Sequence, residues 1–325
     1  MKRRTVIESG VVLGLSTLLP YKRLFADQSR KFNSSNFKFN LGQLELMVIT
    51  DGHILFKPVQ PSFAPDVPHR EVKKVLTENF LPVNEVDLSI NVLLVKSGSR
   101  RILIDAGCGN TLGATCGWLL KNLPEAGIQP QDITDVVLTH GHPDHLGGLL
   151  NASGDLVFKN AHVYLSQLEN DFWLSPDPDF SKSKNHDDAL KAMIIKVAKD
   201  TIKGIQPQLN LFEDGDTLFD CIKLKIAAGH TPGHTIITIY SGGEEFVHIA
   251  DLVHSAALVV EHPEWGFDGD TNFAQAAATR KKVLEDLAKN RTLIFSYHLP
   301  WPGLGHVRKK EEGYEWVPKP FALPG

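Results

Sequence analysis

Cysteine is scarce in this chain. Cys108, Cys116 and Cys221 are the only thiols in 325 residues, too few for a disulfide framework and at spacings that match no cysteine-based zinc module. Cys108 and Cys116 are near enough in sequence to pair in an oxidising compartment, but isolated buried thiols are the simpler expectation. Long apolar runs are also missing: the stretch Val11 to Leu19 falls short of the ~20 residues that a membrane-spanning helix requires. Positive charge is in deficit, with 34 Lys and Arg against 38 Asp and Glu, a net charge of −4. That balance excludes nucleic acid and anionic membrane as natural partners. No short repeat, low-complexity run or linker divides the chain. What remains, 42% hydrophobic and 22% charged residues, is ample material for a globular core.

The first 26 residues read as an export signal. Met1-Lys-Arg-Arg4 is basic, Val11 to Leu19 is apolar, and Leu24-Phe-Ala26 offers a small residue for cleavage. Arg3-Arg4 ahead of a mild apolar run suits the twin-arginine route over the general secretory one. Residues 27–325 then form the mature protein, expected in the periplasm or outside the cell. Its 29 basic and 37 acidic side chains make it more acidic than the full chain, at −8.

Hydrophobic patterning predicts strands at Leu44 to Thr50, Ile54 to Lys57, Asp87 to Lys96, Arg101 to Asp105, Ile133 to Leu138 and His162 to Leu165. Helices are predicted at His69 to Phe80, Ala114 to Ala126, Gln167 to Trp173 and His186 to Lys203, with another beginning at Leu146. The second half repeats the plan, with strands at Ile222 to Ala228, Ile236 to Tyr240, Phe246 to Ala250 and Leu293 to Ser296 and a helix at Phe273 to Lys289. Pro176 to Asp179 and Glu261 to Asp270 read as loops of the kind that rim a pocket. The two strand–helix sets look like halves of one α/β sandwich.

Chemistry concentrates in Thr139-His-Gly-His-Pro-Asp-His145, four good metal ligands in six consecutive positions at the end of a predicted strand. Three further candidates each end a strand: His230 in a tight Gly/Pro turn, Asp251 after Phe246-Val-His-Ile-Ala, and His298 after Leu293-Ile-Phe-Ser-Tyr. Singly, a histidine after a strand is most often a hydrogen-bonded core or rim residue. Together they make a set in which His140, His142 and His230 hold one ion, Asp144, His145 and His298 hold a second, and Asp251 bridges both. Two divalent ions, zinc by ligand type, can share a hydroxide that attacks a carbonyl carbon or phosphorus. Asp144 and Asp251 are the catalytic carboxylates of this reading, Asp144 as a proton acceptor and donor. Asp105 would orient a ligand from behind, His234 and His306 would support turns, and His254 would line the pocket.

With these residues in place the chain resembles the metallo-β-lactamase superfamily. The resemblance rests on Asp105 in Leu103-Ile-Asp-Ala-Gly107, the His/Asp cluster, His230, Asp251 and His298, in that order. Asp171-Phe-Trp-Leu-Ser175, Gly229-His-Thr-Pro-Gly-His-Thr235, and His298-Leu-Pro-Trp-Pro-Gly-Leu-Gly-His306 followed by Gly313-Tyr-Glu-Trp-Val-Pro318 are similar to the methyl parathion hydrolase branch. The resemblance implies a four-layer αβ/βα sandwich with a dinuclear zinc-type site at its strand ends. It also implies Phe172 and Trp173 as substrate-binding aromatics and, as in many members of the branch, a homodimer.

Asp251 stands where zinc β-lactamases of the first subclass have cysteine, which turns the reading away from β-lactam hydrolysis. RNA-processing relatives carry basic surfaces that this acidic chain lacks, and diiron redox relatives replace a histidine that His142 retains. Hydrolysis of carboxylic esters or lactones, acyl-homoserine lactones included, is therefore the expected reaction. Organophosphate triester hydrolysis, as in methyl parathion hydrolase, is the alternative. The segments Gly107 to Ala114 and Asn185 to Lys191 lack the aromatics that flank the metal site in that enzyme, which favours esters or lactones. A periplasmic metal-binding protein without turnover is the remaining alternative, an odd use for a bridging carboxylate.

Overall fold

In the computed structural model, residues 34–320 are described; the expected export signal lies outside them. Residues 35–320 form a single compact unit. It is built on two seven-stranded sheets. The first follows chain order, β1 (Asn36–Leu41), β2 (Leu44–Phe56), β3 (Val86–Ser97), β4 (Arg100–Ile104), β5 (Asp135–Val137), β6 (His162–Ser166) and β7 (Leu209–Phe212). The second contains β8 (Thr217–Leu218), β9 (Ile222–Ile226), β10 (Thr235–Ser241), β11 (Glu244–His248), β12 (Ile294–Phe295), β13 (Leu304–Lys309) and β14 (Tyr314–Pro318), again in chain order. Each sheet begins with antiparallel meanders and includes parallel pairs: β4 through β7 in the first, β11 with β12 in the second.

Side-chain alternation along the central strands stacks these sheets face to face. Leu46 and Val48 of β2 and Leu93 and Val95 of β3 point toward Ile237 and Ile239 of β10 and Phe246 of β11, a core between the sheets. The intervening residues Met47, Ile49, Val92 and Leu94 point the other way, into a second core with Ala198 and Ile202 of the helix Asp188–Gly204. A third core joins Ile236, Val247 and Ile294 to Val72 and Leu76 of the helix His69–Glu78 and to Val283, Leu284 and Leu287 of the helix Phe273–Asn290. Strands covered on both faces read as nearly continuous apolar runs, as β3 does. The expected four-layer αβ/βα sandwich is the observed one.

Several elements differ locally from the sequence reading. The two strands predicted around Asp51-Gly52 are one strand, β2, interrupted by a bulge between Thr50 and Gly52. Asp-Gly suggests a turn, yet here the Asp51 carboxylate turns inward and accepts backbone N–H bonds from Cys108 (2.7 Å), Leu119 (2.7 Å) and Gly117 (3.1 Å). Gly52 has φ +105°, and a Cβ there would lie 2.2 Å from the Thr115 carbonyl oxygen. The helix expected from Ala114 begins only at Leu119, because Gly113 and Gly117 hold positive φ. Instead of a helix starting at Leu146, a single turn over Pro143–Leu146 passes into a 3-10 turn at Gly147–Leu149. Gly148 packs so closely that a Cβ would meet the Ala106 carbonyl oxygen at 2.0 Å. Strands β1, β7, β8, β13 and β14, short or at sheet margins, were not foreseen.

Candidate metal centre

All seven predicted ligands come from loops at one end of the two sheets. His140 and His142 follow β5, and Asp144 and His145 lie in the turn after them. His230 sits in the turn between β9 and β10, Asp251 follows β11, and His298 follows β12. The donors gather into two groups, His140, His142, His230 and Asp251 in one and Asp144, His145, Asp251 and His298 in the other, with ligand atoms in each group within 4.8 Å of one another.

In the first group His142 Nδ1 lies 3.0 Å from His140 Nε2 and 2.9 Å from His230 Nε2. Asp251 Oδ2 lies 3.4 Å from His230 Nε2 and 3.8 Å from His140 Nε2. In the second group His298 Nε2 is 3.2 Å from Asp251 Oδ2 and 3.3 Å from Asp144 Oδ2, while His145 Nε2 is 3.1 Å from Asp251 Oδ1. Asp251 therefore belongs to both groups.

Contacts behind the rings decide what those inward nitrogens are. His145 Nδ1 donates to Asp105 Oδ2 (2.9 Å), His230 Nδ1 to Asp270 Oδ1 (2.9 Å) and His298 Nδ1 to the Ser89 carbonyl (2.9 Å). In a neutral imidazole whose outer nitrogen carries the proton, the inner nitrogen is a lone pair. Three imidazole nitrogens and two carboxylates thus face one another with little to hold them together. His145 Nε2 and Asp251 Oδ1 are buried without a hydrogen-bond partner. A cationic centre satisfies all of them, and a mixed N/O set of this kind suits zinc.

The electrostatics carry the same demand. Burial disfavours a proton on His298, but Asp251 and Asp144 outweigh it and push its pKa up to about 10. His230 behaves likewise: burial opposes the charge, Asp251 and Asp270 overcome it, and the pKa rises to about 9. Burial and neighbouring histidines push His140 and His142 well below the ordinary imidazole range. Positive charge is thus called for on the carboxylate side, and divalent metal and protons compete to supply it.

Asp105, at φ +63°, also accepts from Thr139 N and Thr139 Oγ1, both at 2.8 Å, and so ties the end of β4 to the His140 loop. His234 takes its place behind Asp251: its Nδ1 donates to the Ala227 carbonyl (3.1 Å) and its Nε2 accepts from Asp251 N (3.1 Å). Burial pushes its pKa down to about 3, as that neutral role requires. His306 Nδ1 bonds the Thr292 carbonyl (3.0 Å), away from the centre.

Sequence reasoning missed Asp270 and Arg280. The Arg280 guanidinium is buried, donating to Asp270 Oδ2 (3.1 Å), the Leu252 carbonyl and the Pro263 carbonyl. Burial alone would raise the pKa of Asp270, but the charge of Arg280 holds it below the carboxylate range, so it stays an acceptor for His230. The signal was present: Arg280 falls on the apolar stripe of its helix with Ala276, Val283, Leu284 and Leu287. Tyr297 was also missed; it stacks on His145 (centroids 4.1 Å apart) and donates from its hydroxyl to the Asp144 carbonyl (2.8 Å).

A cavity of about 230 Å³ opens above the centre. Its floor is His142, Asp144, His230, Asp251 and His298, and its walls include Ile54, Phe56, Leu88, Leu112, Leu190, Met193 and Phe267. His254 lines it as expected, with its ring between Phe267 (4.5 Å) and His298 (5.3 Å). The rim loop Glu261 to Asp270 supplies Phe267, Asp268 and Gly269. Trp173 and Phe172 require a correction. Trp173 is fully buried behind His142 and donates to Glu169 Oε2 (2.6 Å), while Phe172 lines a separate depression with Asp179, Lys182 and Pro232. The resemblance identified the segment, but its aromatic side chains, in the last turn of the helix Gln167–Leu174, pack against the core instead of toward the cavity.

The metallo-beta-lactamase superfamily profile matches residues 86–298. Among solved structures, AidC, a dizinc quorum-quenching lactonase in complex with a product N-hexanoyl-L-homoserine, is 41% identical over 90% of this chain and 100% of its own, with a TM-score of 0.85. The hydrolase AbOPH of the beta lactamase superfamily is 32% identical over 90% of this chain and 100% of its own, at a TM-score of 0.82. A probable metal-dependent hydrolase from Staphylococcus aureus shares the fold at 21% identity and a TM-score of 0.69, over 88% of this chain and 100% of its own. No match to a curated protein was found. The chain belongs to the metallo-beta-lactamase superfamily and is a hydrolase of that superfamily with a candidate divalent-metal site.

Proposed function

We propose that the protein hydrolyses carboxylic esters or lactones, acyl-homoserine lactones among them, at a pair of divalent ions, most naturally zinc. One observation carries the reading: seven donors converge in two groups that share Asp251, and five of them, His142, Asp144, His230, Asp251 and His298, form the floor of a largely apolar cavity. His140, His142 and His230 would hold one ion, Asp144, His145 and His298 the other, and Asp251 both. Bound there, the ions would acidify water and polarise a carbonyl oxygen. The protein's own groups do the rest. Asp105, Asp270 and the Ser89 carbonyl fix the outer protons of three ligand rings, which aims their lone pairs inward. Asp144, on the cavity floor, would take up a proton and return it to the departing alkoxide. Leu88, Leu112, Leu190 and Met193 line the cavity and would exclude water and receive an acyl chain.

The likeness to AidC, a dizinc lactonase, supports the substrate class. Organophosphate triester hydrolysis is the second reading, favoured by Phe56 and Phe267, whose rings could stack an aryl leaving group. The 107–114 and 185–191 segments contribute Leu112, Asn185 and Leu190 to the wall and no aromatic, which supports the first. The reading includes export of residues 27–325 to the periplasm or beyond, directed by residues 1–26, and a homodimer. The test is kcat/KM of the zinc-loaded protein across lactones, aryl esters and phosphotriesters. Lactones or carboxylic esters should lead; a lead by phosphotriesters overturns the order, and binding of zinc without turnover of any ester overturns the enzyme.

A further inference from the structure

Ser166-Gln-Leu-Glu169 has the pattern of a helix capping box, in which the glutamate would reach back to the serine backbone. Only half of that box forms. Ser166 Oγ accepts from Glu169 N (3.2 Å), opening the helix Gln167–Leu174, but the Glu169 carboxylate finds its partners elsewhere than the Ser166 backbone. It is fully buried. Oε2 accepts from Gly141 N (2.8 Å) and from Trp173 Nε1 (2.6 Å), and Oε1 accepts from Gly233 N (2.7 Å).

Those two glycines sit inside the two loops that supply the first ligand group. Gly141 lies between His140 and His142, and Gly233 follows His230 by three residues. Both loops press on this helix. A Cβ at Gly141 would lie 2.2 Å from Trp173 Nε1, and one at Gly233 would lie 2.2 Å from Ser166 Oγ. Ser166 Oγ also donates to the Gly233 carbonyl (3.2 Å). The two loops are nearly ninety residues apart in sequence, and β5 and β10 that flank them belong to different sheets.

We propose that Glu169 is a positioning residue: its carboxylate clamps the His140–His142 loop to the His230 loop and so sets the spacing of the three imidazoles that form the first ligand group. The inference rests on the metal-centre reading above and adds a residue that touches no ligand side chain. An ordinary buried carboxylate would contribute to stability alone. A clamp contributes to metal affinity at one of the two positions.

The experiment separates these. Wild type, Glu169→Gln, Trp173→Phe and Asp135→Asn are stripped of metal, checked for folding by circular dichroism, and titrated with zinc against a chromophoric chelator and with cobalt(II) followed by its visible spectrum. Asp135→Asn is the control, since Asp135 is another buried carboxylate, paired with Arg100 (2.9 Å) at the far end of β5. A glutamine at 169 presents an NH₂ toward one of the three N–H donors, so zinc at the first position should bind about 10–100-fold more weakly. The cobalt spectrum should change, and the Asp144/His145/His298 position should be less affected. Trp173→Phe, which removes one donor and keeps the packing, should shift affinity in the same direction by less. A folded Glu169→Gln with unchanged zinc affinity and cobalt spectrum overturns the proposal, as does an equal loss in Asp135→Asn. Should Glu169→Gln not fold, unchanged affinity in Trp173→Phe overturns it. A wild type that takes up no metal overturns the functional reading together with this one, whereas two ions bound with equal affinity by wild type and Glu169→Gln overturn this one alone.

Discussion

Asp251 is the residue on which the centre turns. It faces His230 and His298 with one oxygen and His145 with the other, and its backbone N–H is held by His234. No other carboxylate faces both groups among the described residues. Asp251→Ala should therefore abolish metal binding and hydrolysis together, by elemental analysis and initial rates; retained metal with retained rate contradicts the assignment. Asp270 is a subtler case. Asp270→Asn keeps the shape but weakens the hold on the outer proton of His230, and should lower zinc affinity by about 10–100-fold while leaving the fold intact. At this scale the ligands were legible because each closes a strand in a short, distinctive motif. Asp270 and Glu169 were not, because their partners lie elsewhere in the chain and nothing local distinguishes a carboxylate that supports a ligand from one that caps a helix; Arg280 left a trace only in its place on an apolar helix stripe. Trp173 was misplaced for the same reason: sequence supplied the residue type, and packing decided which side of the helix it faced.

Among the elements, β2 braces the loop 107–119, because its bulge turns Asp51 under that loop. Burial raises the Asp51 pKa to about 6 against the three N–H bonds that lower it. The folded value lies above the unfolded one, so the native state holds this proton more tightly. Stability from that source is complete below about pH 4 and lost as pH rises through about 6, an amount on the order of 3 kcal/mol. Urea unfolding of the metal-free wild type and Asp51→Asn should show the wild-type advantage shrinking between pH 4 and pH 7; an advantage that grows over that interval contradicts the assignment. The bulge itself explains why one strand was read as two. Asp-Gly is a turn signal wherever the carboxylate finds only local partners, and here its partners are more than fifty residues away. The long strands and helices were legible from their periodicity; the short marginal strands, two to six residues each, offered too little pattern to identify.

Across the whole molecule, two similar sheet–helix halves bury one another's inner faces, and the candidate centre lies where loops from both halves meet. Leu93→Ala, at a fully buried position between the sheets, should cost about 2–5 kcal/mol in urea unfolding without changing the number of ions bound. The converse also holds: because the ligand loops come from both halves, bound metal should brace the sandwich and raise its melting temperature. The account is tested most directly by titrating exhaustively chelated protein with zinc while following ester hydrolysis. It predicts no rate without metal and a full rate once two ions per chain are bound. Full-speed hydrolysis by the chelated protein, or saturation with metal and no rate at all, would contradict it.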